Sequence, residues 1–389
     1  MTRERLEVSD VRLETDAVTA TLSGQVGGER LFWSMPPRSS LASRGEPFVA
    51  ALLVSAMRRG RDLILPEAAP TDAEFLERVA ELQVIFARWF PGLQRIKIHA
   101  PAVSPRNGVA GRLAGYSGGV DSSYTVMRLA DSLDGAVFFD GIEYRNPNPE
   151  LMSQVGATLS STMAARGLPL TTVKTNVKAI GRATGGRWSE FISGALASIP
   201  HALGVAEYTI AGSNSWENLR PYGSHPVTDP LWSSGSTRIH HHGAGALRIE
   251  KIAALGAAPD LLAVLRVCFQ GENYNCGVCH KCLQTAAALR ALNLTSPAMP
   301  PLTDPTLLRR LVVEHEGDLV DWDEILNPEL QSRDPVLARE LGRMIRRYRM
   351  RRLLKQADTV LCSGGVRRLL HRVGVLRPHK SHTPEVSDP

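Results

Sequence analysis

Residues Gly115-Tyr116-Ser117-Gly118-Gly119-Val120-Asp121-Ser122-Ser123 restrict the folds open to this 389-residue chain more than any other stretch. Apolar residues lead into it, two adjacent glycines sit inside it, and a helical pattern from Tyr124 to Leu133 follows. That order predicts a buried strand, a tight turn and a helix N-terminus. The first-turn amides of such a helix lack intrahelical partners and point at whatever occupies the turn, commonly an anion. Gly118 and Gly119 allow positive φ and close backbone approach. Ser117, Ser122 and Ser123 add hydroxyl donors, and Asp121 can hold a magnesium ion beside phosphate oxygens. Residues Tyr116, Ser117, Gly118, Gly119, Val120, Asp121, Ser122 and Ser123 are therefore a candidate pyrophosphate cradle. An ordinary strand–turn–helix junction needs the glycines and a cap residue. It does not need four hydroxyl or carboxylate groups within seven positions.

The surrounding pattern alternates between strand and helix. Strands are predicted at 109–116, 136–140, 170–175 and 207–211, with helices at 121–134, 149–166 and 188–204. Strands joined by helical crossovers form a parallel sheet covered on both faces, so the expected class is α/β with a Rossmann-like, doubly wound sheet. Ligands of such sheets gather at the carboxyl ends of the strands. Phe139 and Asp140 fall there after the second of these strands, and Gly212 and Ser213 after the fourth.

Four of the five cysteines lie within fifteen positions, as Cys268, Cys276, Cys279 and Cys282. Two residues between ligands let one turn present two thiolates to a tetrahedral zinc ion. Four thiolates leave no open position for water, so the expected ion is structural. An iron–sulfur cluster uses similar ligands. His280, inside the knuckle, reads either as a replacement ligand or as a solvated loop residue.

Ser117-Gly-Gly-Val-Asp-Ser122 resembles the signature of the PP-loop ATP pyrophosphatases. No Gly-Lys-Ser/Thr follows it, which separates it from the kinase-type P-loop. Together with the downstream cysteine knuckle it resembles the 7-cyano-7-deazaguanine synthase (QueC-like) group over about residues 110–292. Gly186-Arg187 and Leu265-Arg266-Val-Cys268 extend the likeness. It implies a HUP-type sheet and ATP, Mg2+ and structural Zn2+ as cofactors. It also implies cleavage of ATP to AMP and pyrophosphate, as a carboxylate is adenylated on its way to an amide or nitrile. In such families the segment at Phe139-Asp140 lines adenine and ribose, and the one at Gly212-Ser213 faces the nucleotide. Trp188 stands where the group carries asparagine, and the segment from His225 to Lys251 departs from its deazapurine pocket. The ATP chemistry therefore carries over better than the substrate.

A carboxylate is already ionised at neutral pH and needs no base to attack phosphorus. It needs positioning and positive charge around the leaving pyrophosphate. Besides Asp121, the catalytic candidates are Arg187, Lys251 and Arg248, each of which reads equally as a surface salt bridge. Asp229, in a proline-bracketed turn, reads either as a second magnesium ligand or amine site or as a turn cap. The run His240-His241-His242 is set aside as a metal site because adjacent residues on an extended segment point apart.

Subtraction narrows the second substrate. Thiolation in this superfamily usually needs a reactive cysteine besides the knuckle, and only Cys362 remains. No glutaminase cysteine is present at position 2, which is Thr2. Nitrogen then comes from ammonia or an amine, and the expected activity is an AMP-forming carbon–nitrogen ligase. The alternative is a tRNA-modifying PP-loop enzyme that adenylates a base for thiolation or amination.

Charge supports that alternative only locally. Residues 331–389 hold 14 Lys/Arg against 5 Asp/Glu, whereas 1–330 hold 31 against 34. A basic helix there is expected to meet RNA, a carrier or a partner protein, or else to lay its arginines over the core. The organisation expected is an N-terminal α+β domain (1–108), the ATP pyrophosphatase domain (109–297, knuckle at 268–282), a helical basic extension (298–377) and a disordered tail (378–389). The longest apolar run, 47–57, is too short to span a bilayer, and no hydrophobic signal region follows Met1. A cytoplasmic protein is expected, with a homodimer left open as its assembly.

Overall fold

The structure is a computed structural model and describes residues 3–106, 110–142, 148–270, 273–313 and 316–362. The expected disordered tail lies outside the described residues. Two compact units meet in sequence between Ala246 and Leu247.

Among the described residues the first unit is built on twelve strands: β1 (Arg5–Thr15), β2 (Ala20–Val26), β3 (Glu29–Met35), β4 (Asp62–Ile64), β5 (Thr71–Asp72), β6 (Ile98–His99), β7 (Ala102–Val103), β8 (Arg112–Gly115), β9 (Gly135–Asp140), β10 (Leu170–Thr175), β11 (Glu207–Ala211) and β12 (Arg238–His242). All except the short β5–β7 pair belong to one sheet of order β12-β11-β8-β9-β10-β3-β2-β1-β4-β6. The neighbours from β12 through to β10 are all parallel. Beside β8 stand β9, the next strand in the chain, and β11, which comes two strands later. The chain order therefore turns round at β8. The first five residues of β9 are buried on both faces, as a covered parallel strand must be.

The α-helices that accompany these strands among the described residues are α1 (Glu46–Arg59), α2 (Ala73–Trp89), α3 (Val120–Leu129), α4 (Pro149–Ala165), α5 (Val177–Ala183) and α6 (Trp188–Leu203). Helix α3 packs on β8 and β11, α4 on β9 and β10, and α1 along α6. Asp72 caps α2 by accepting from the Phe75 amide.

The described residues of the expected N-terminal domain, 3–106, do not stand apart from this sheet. β3 pairs antiparallel with β10 through Lys174↔Ser34 and Thr175↔Trp33. Asn176 accepts from the Phe32 amide and donates to the Arg30 carbonyl. Trp33, fully buried, donates from Nε1 to Ser198 Oγ on α6. The physical reason is edge protection. Without β3, β10 would be an open edge strand with unpaired amides and carbonyls. Strand β1 escaped the sequence reading because its alternation breaks at a bulge between Ser9 and Arg12, where Asp10 takes φ 51°.

The second unit holds α7 (Arg248–Leu255), α8 (Pro259–Ala263), α9 (His280–Ala291), α10 (Glu316–Ile325), α11 (Pro328–Arg333) and α12 (Pro335–Cys362). Trp322 is its fully buried anchor and donates from Nε1 to Nε2 of the buried His280. His280 is therefore buried and not solvated, and its Nε2 is taken by Trp322. The unit begins at Leu247, so the expected boundary at 297/298 falls inside it, and the knuckle shares this unit with α12.

Candidate functional site

The cradle lies where the strand order reverses. β8 ends at Gly115, and the Tyr116 amide still bonds to the Val137 carbonyl of β9. The chain then turns through Gly118 at φ 75°, a left-handed conformation that a side chain would strain. Gly119 is the N-cap of α3 and supplies no side chain to its first-turn amides. Ser122 Oγ organises the turn, accepting from the Ser117 amide at 3.2 Å and donating to the Gly119 carbonyl at 3.1 Å. Ser117 Oγ lies 3.3 Å from the same hydroxyl. Ser123 Oγ is buried without a hydrogen-bond partner in the protein. An orphaned buried hydroxyl in the first turn of a helix is what a phosphate would satisfy.

The flanking strand ends bring in the other expected residues. Asp140 closes β9, and Phe139 packs against Tyr208 of β11, their ring centroids 6.4 Å apart. Burial raises the Asp140 carboxyl above the ordinary carboxylate range, and Lys174, paired with it in register on β10, opposes that rise. Gly212 follows β11 and bonds through its amide to the His242 carbonyl. Ser213 beside it is exposed. Arg187 is exposed at the N-cap of α6. Trp188, the next residue, lies 5.1 Å from the Phe191 ring and under the Lys178 ammonium at 4.8 Å. Arg248 and Lys251 occupy the first turn of α7 in the second unit, and both are buried there. Arg248 stands beside the Glu324 carboxylate, which also accepts from the Ile249 amide.

The sequence reading missed β12 and what it carries. As a strand it sends alternate side chains to opposite faces. His240 meets Glu207 at 3.1 Å, and His242 Nδ1 meets Thr125 Oγ1 on α3 at 3.0 Å and stacks on Tyr124. His241 turns the other way and places Nδ1 2.7 Å from the fully buried Asp229 carboxylate. Asp229 also accepts from Ser224 Oγ and from the His225 amide. A signal was present in the acid turn followed by the histidine run, but only strand geometry selects the middle histidine. A cavity of about 920 Å³ runs along β12, lined by Arg238 to Gly245, Ser233 to Thr237, Glu74, Arg78 and Trp216. No cradle residue lines it.

In the second unit the ligand atoms of Cys268, Cys276, Cys279 and Cys282 all lie within 4.8 Å of one another. A tetrahedral zinc with bonds of about 2.3 Å spaces its sulfurs by roughly 3.8 Å. Cys276 Sγ and Cys282 Sγ stand 3.9 Å apart. Cys279 caps α9, and its amide donates to Cys276 Sγ. The thiols share protons among themselves. Cys268 is pushed down by hydrogen bonds from Cys279 and Cys282, and Cys279 is pushed up to about 12 by the one it gives to Cys268. Sulfurs so arranged fit a cation such as zinc that removes those protons together.

On α12, Arg343 meets the buried Glu340, Arg347 donates to the carbonyls of Arg309 and Leu311, and Arg349 meets Asp323. Met350, Leu353 and Leu354 are exposed beyond them. Among the described residues no helix is long and apolar enough to cross a membrane. Comparison with protein-family models, with curated proteins and with solved structures gives no match.

Proposed function

We propose that the chain is an AMP-forming ligase of the PP-loop type, QueC-like in its ATP chemistry. It adenylates a small-molecule carboxylate and transfers the acyl group to ammonia or an amine. The observation that carries this reading is the cradle at the end of β8, where the strand order turns round. Open α/β sheets bind their ligands at such a switch point.

In this reading the amides of Val120 to Ser122 and the hydroxyls of Ser117 and Ser123 hold the β and γ phosphates. Asp121 would hold a magnesium ion, which would neutralise charge on the leaving pyrophosphate. Phe139 and Asp140 line the nucleoside, and Gly212 and Ser213 close its other side. A carboxylate oxygen attacks the α-phosphorus, the bond to the bridging oxygen breaks, and pyrophosphate leaves with the electron pair. Nitrogen then attacks the acyl carbon and AMP departs. Of the three expected cations, Arg187 is retained, being exposed and in the same unit as the cradle. The cysteine cluster holds zinc as a structural ion.

Mass spectrometry of reactions containing ATP, ammonium chloride and a panel of heteroaromatic carboxylates, 7-deazaguanine 7-carboxylate included, tests the reading. AMP, pyrophosphate and an acyl-adenylate are expected from the wild type and not from Asp121→Ala. ADP and inorganic phosphate would sink it. The RNA-modifying alternative draws on α12, where three of the arginines are committed to internal contacts.

A further inference from the structure

We propose that β12 is a dimerisation edge, pairing antiparallel with the same strand of a second copy about a twofold axis at His241. The inference is independent of the ATP chemistry and rests on the backbone of the sheet.

β12 is the outermost strand of the ten-stranded sheet. Two ladder bonds to β11 set its phase. The Arg238 amide donates to the Ala206 carbonyl, and the His242 carbonyl accepts from the Gly212 amide. In a parallel ladder alternate residues bond to one neighbour, so Arg238, His240 and His242 turn their backbone groups toward β11. Each trans peptide unit sets its amide and its carbonyl on opposite sides. The backbone groups of Ile239 and His241, and the Gly243 amide, therefore point to the outer edge.

The chain closes both ends of that edge itself. Ser233 Oγ accepts from the Ile239 amide at 2.9 Å, and the Gly243 carbonyl accepts from the Ala246 amide. Between these ends lie the Ile239 carbonyl, both groups of His241 and the Gly243 amide, to which no described residue bonds. The His241 side chain is 5% exposed while the residue as a whole is half-buried, so His241 also shows backbone at the surface. The cavity described above runs beside this edge from Arg238 to Gly245. β12 carries neither lysine nor proline, the residues that blunt edges which must stay single.

The open groups read the same in both directions about His241. In an antiparallel pair centred there, His241 exchanges two bonds with the partner's His241. The Ile239 carbonyl accepts from the amide of the partner's Gly243, and the converse bond completes the set. No group that the chain already satisfies is needed. The side chains agree with this register. Arg238 is carried to the partner's Ala244. Within one chain the Trp216 amide bonds to the Ala244 carbonyl, and Trp216 is 61% exposed. A guanidinium brought beside a solvated indole is a cation–π pair, made twice across the axis. The cavity walls set Glu74 and Glu207 against Arg78 and Arg238, so two copies approach without net repulsion.

Sedimentation equilibrium of the full chain tests the proposal. The wild type should be a dimer of the 42.4 kDa chain at about 100 μM. Trp216→Ala and Arg238→Ala should each weaken dimerisation by about tenfold. Both residues are exposed, so circular dichroism should not change. Disulfides read the register. His240 and the partner's His242 form a non-hydrogen-bonded pair with Cα atoms about 4.5 Å apart, inside disulfide range. His240 and the partner's His240 stand about 8 Å apart, outside it. An equimolar mixture of His240→Cys and His242→Cys should form covalent dimers with diamide. Either variant alone should crosslink no more than the wild type. A wild type that is monomeric at this concentration would overturn the proposal and leave the edge to an extended segment of another protein. Dimers insensitive to both alanine variants would place the interface elsewhere and overturn it as well. So would crosslinking that is equal for the mixture and for the single variants.

Discussion

The Asn275 side-chain carbonyl accepts a hydrogen bond from the Cys268 amide, seven residues earlier, at 3.3 Å. The same oxygen accepts from the Val267 amide, and Nδ2 donates to the Leu265 and Ala298 carbonyls. One buried amide thus ties the segment bearing Cys268 to the turn bearing Cys276, Cys279 and Cys282. Asn275→Ala leaves these backbone groups unpaired and should cost about 2–3 kcal/mol. Thermal denaturation of the zinc-loaded protein reads this loss, and a drop in zinc affinity should accompany it.

The cluster should carry about one zinc per chain. Replacing Cys282, which is fully buried, with serine should remove the metal and unfold the second unit locally. Because Cys279 is held up at about 12 without the metal, loading must expel protons. Zinc affinity should therefore fall steeply on acidification. Metal analysis after dialysis at stepped pH checks both points, and zinc retained by the serine variant would refute the ligand set.

Glu324 gives the second unit a pH dependence of its own. Burial, then the neighbouring Asp321, raises its carboxyl to about 7, while the Ile249 amide it accepts from opposes the rise. A carboxyl raised on folding favours the fold while protonated. Stability from this group is full below the ordinary carboxylate range and is lost as pH climbs toward 7. Glu324→Gln keeps an acceptor for the amide and removes the titration. Melting temperatures between pH 5 and 8 should fall more for wild type than for the variant.

Gly118→Ala places a side chain at φ 75° in the cradle and should strain the turn by about 1–2 kcal/mol. ATP affinity, read by equilibrium binding in the presence of magnesium, should drop by at least tenfold with little change in melting temperature. A variant that binds as the wild type does would remove the cradle as the phosphate site.

Deleting residues 1–106 should abolish soluble expression of the remainder, because β10 would become a naked edge and α6 would lose α1. The milder Trp33→Ala should cost about 3–5 kcal/mol by opening a cavity at that seam. A stable, cooperative truncated protein would restore the N-terminal segment to the status of a separate domain.

Short-range features could be read from the order of residues. The strand at 170–175 and that at 207–211 begin and end where the pattern placed them, and α9 starts at the knuckle. The glycine turn and the Cys-x2-Cys-x2-Cys spacing are equally local, since a few consecutive residues set both geometries. What lay hidden depends on partners far apart in the chain. The continuity of the sheet rests on β3 meeting β10, more than 130 residues later, and neither strand announces its neighbour. The middle histidine of three is singled out only because β12 pairs with β11 and turns His241 toward Asp229, twelve residues back. Likewise, Arg248 and Lys251 read as exposed cations until packing buried them on α7. Sequence determined the local elements because hydrogen bonds between near neighbours build them. The tertiary structure decided their company, because strand order and burial arise from the collapse of the whole unit.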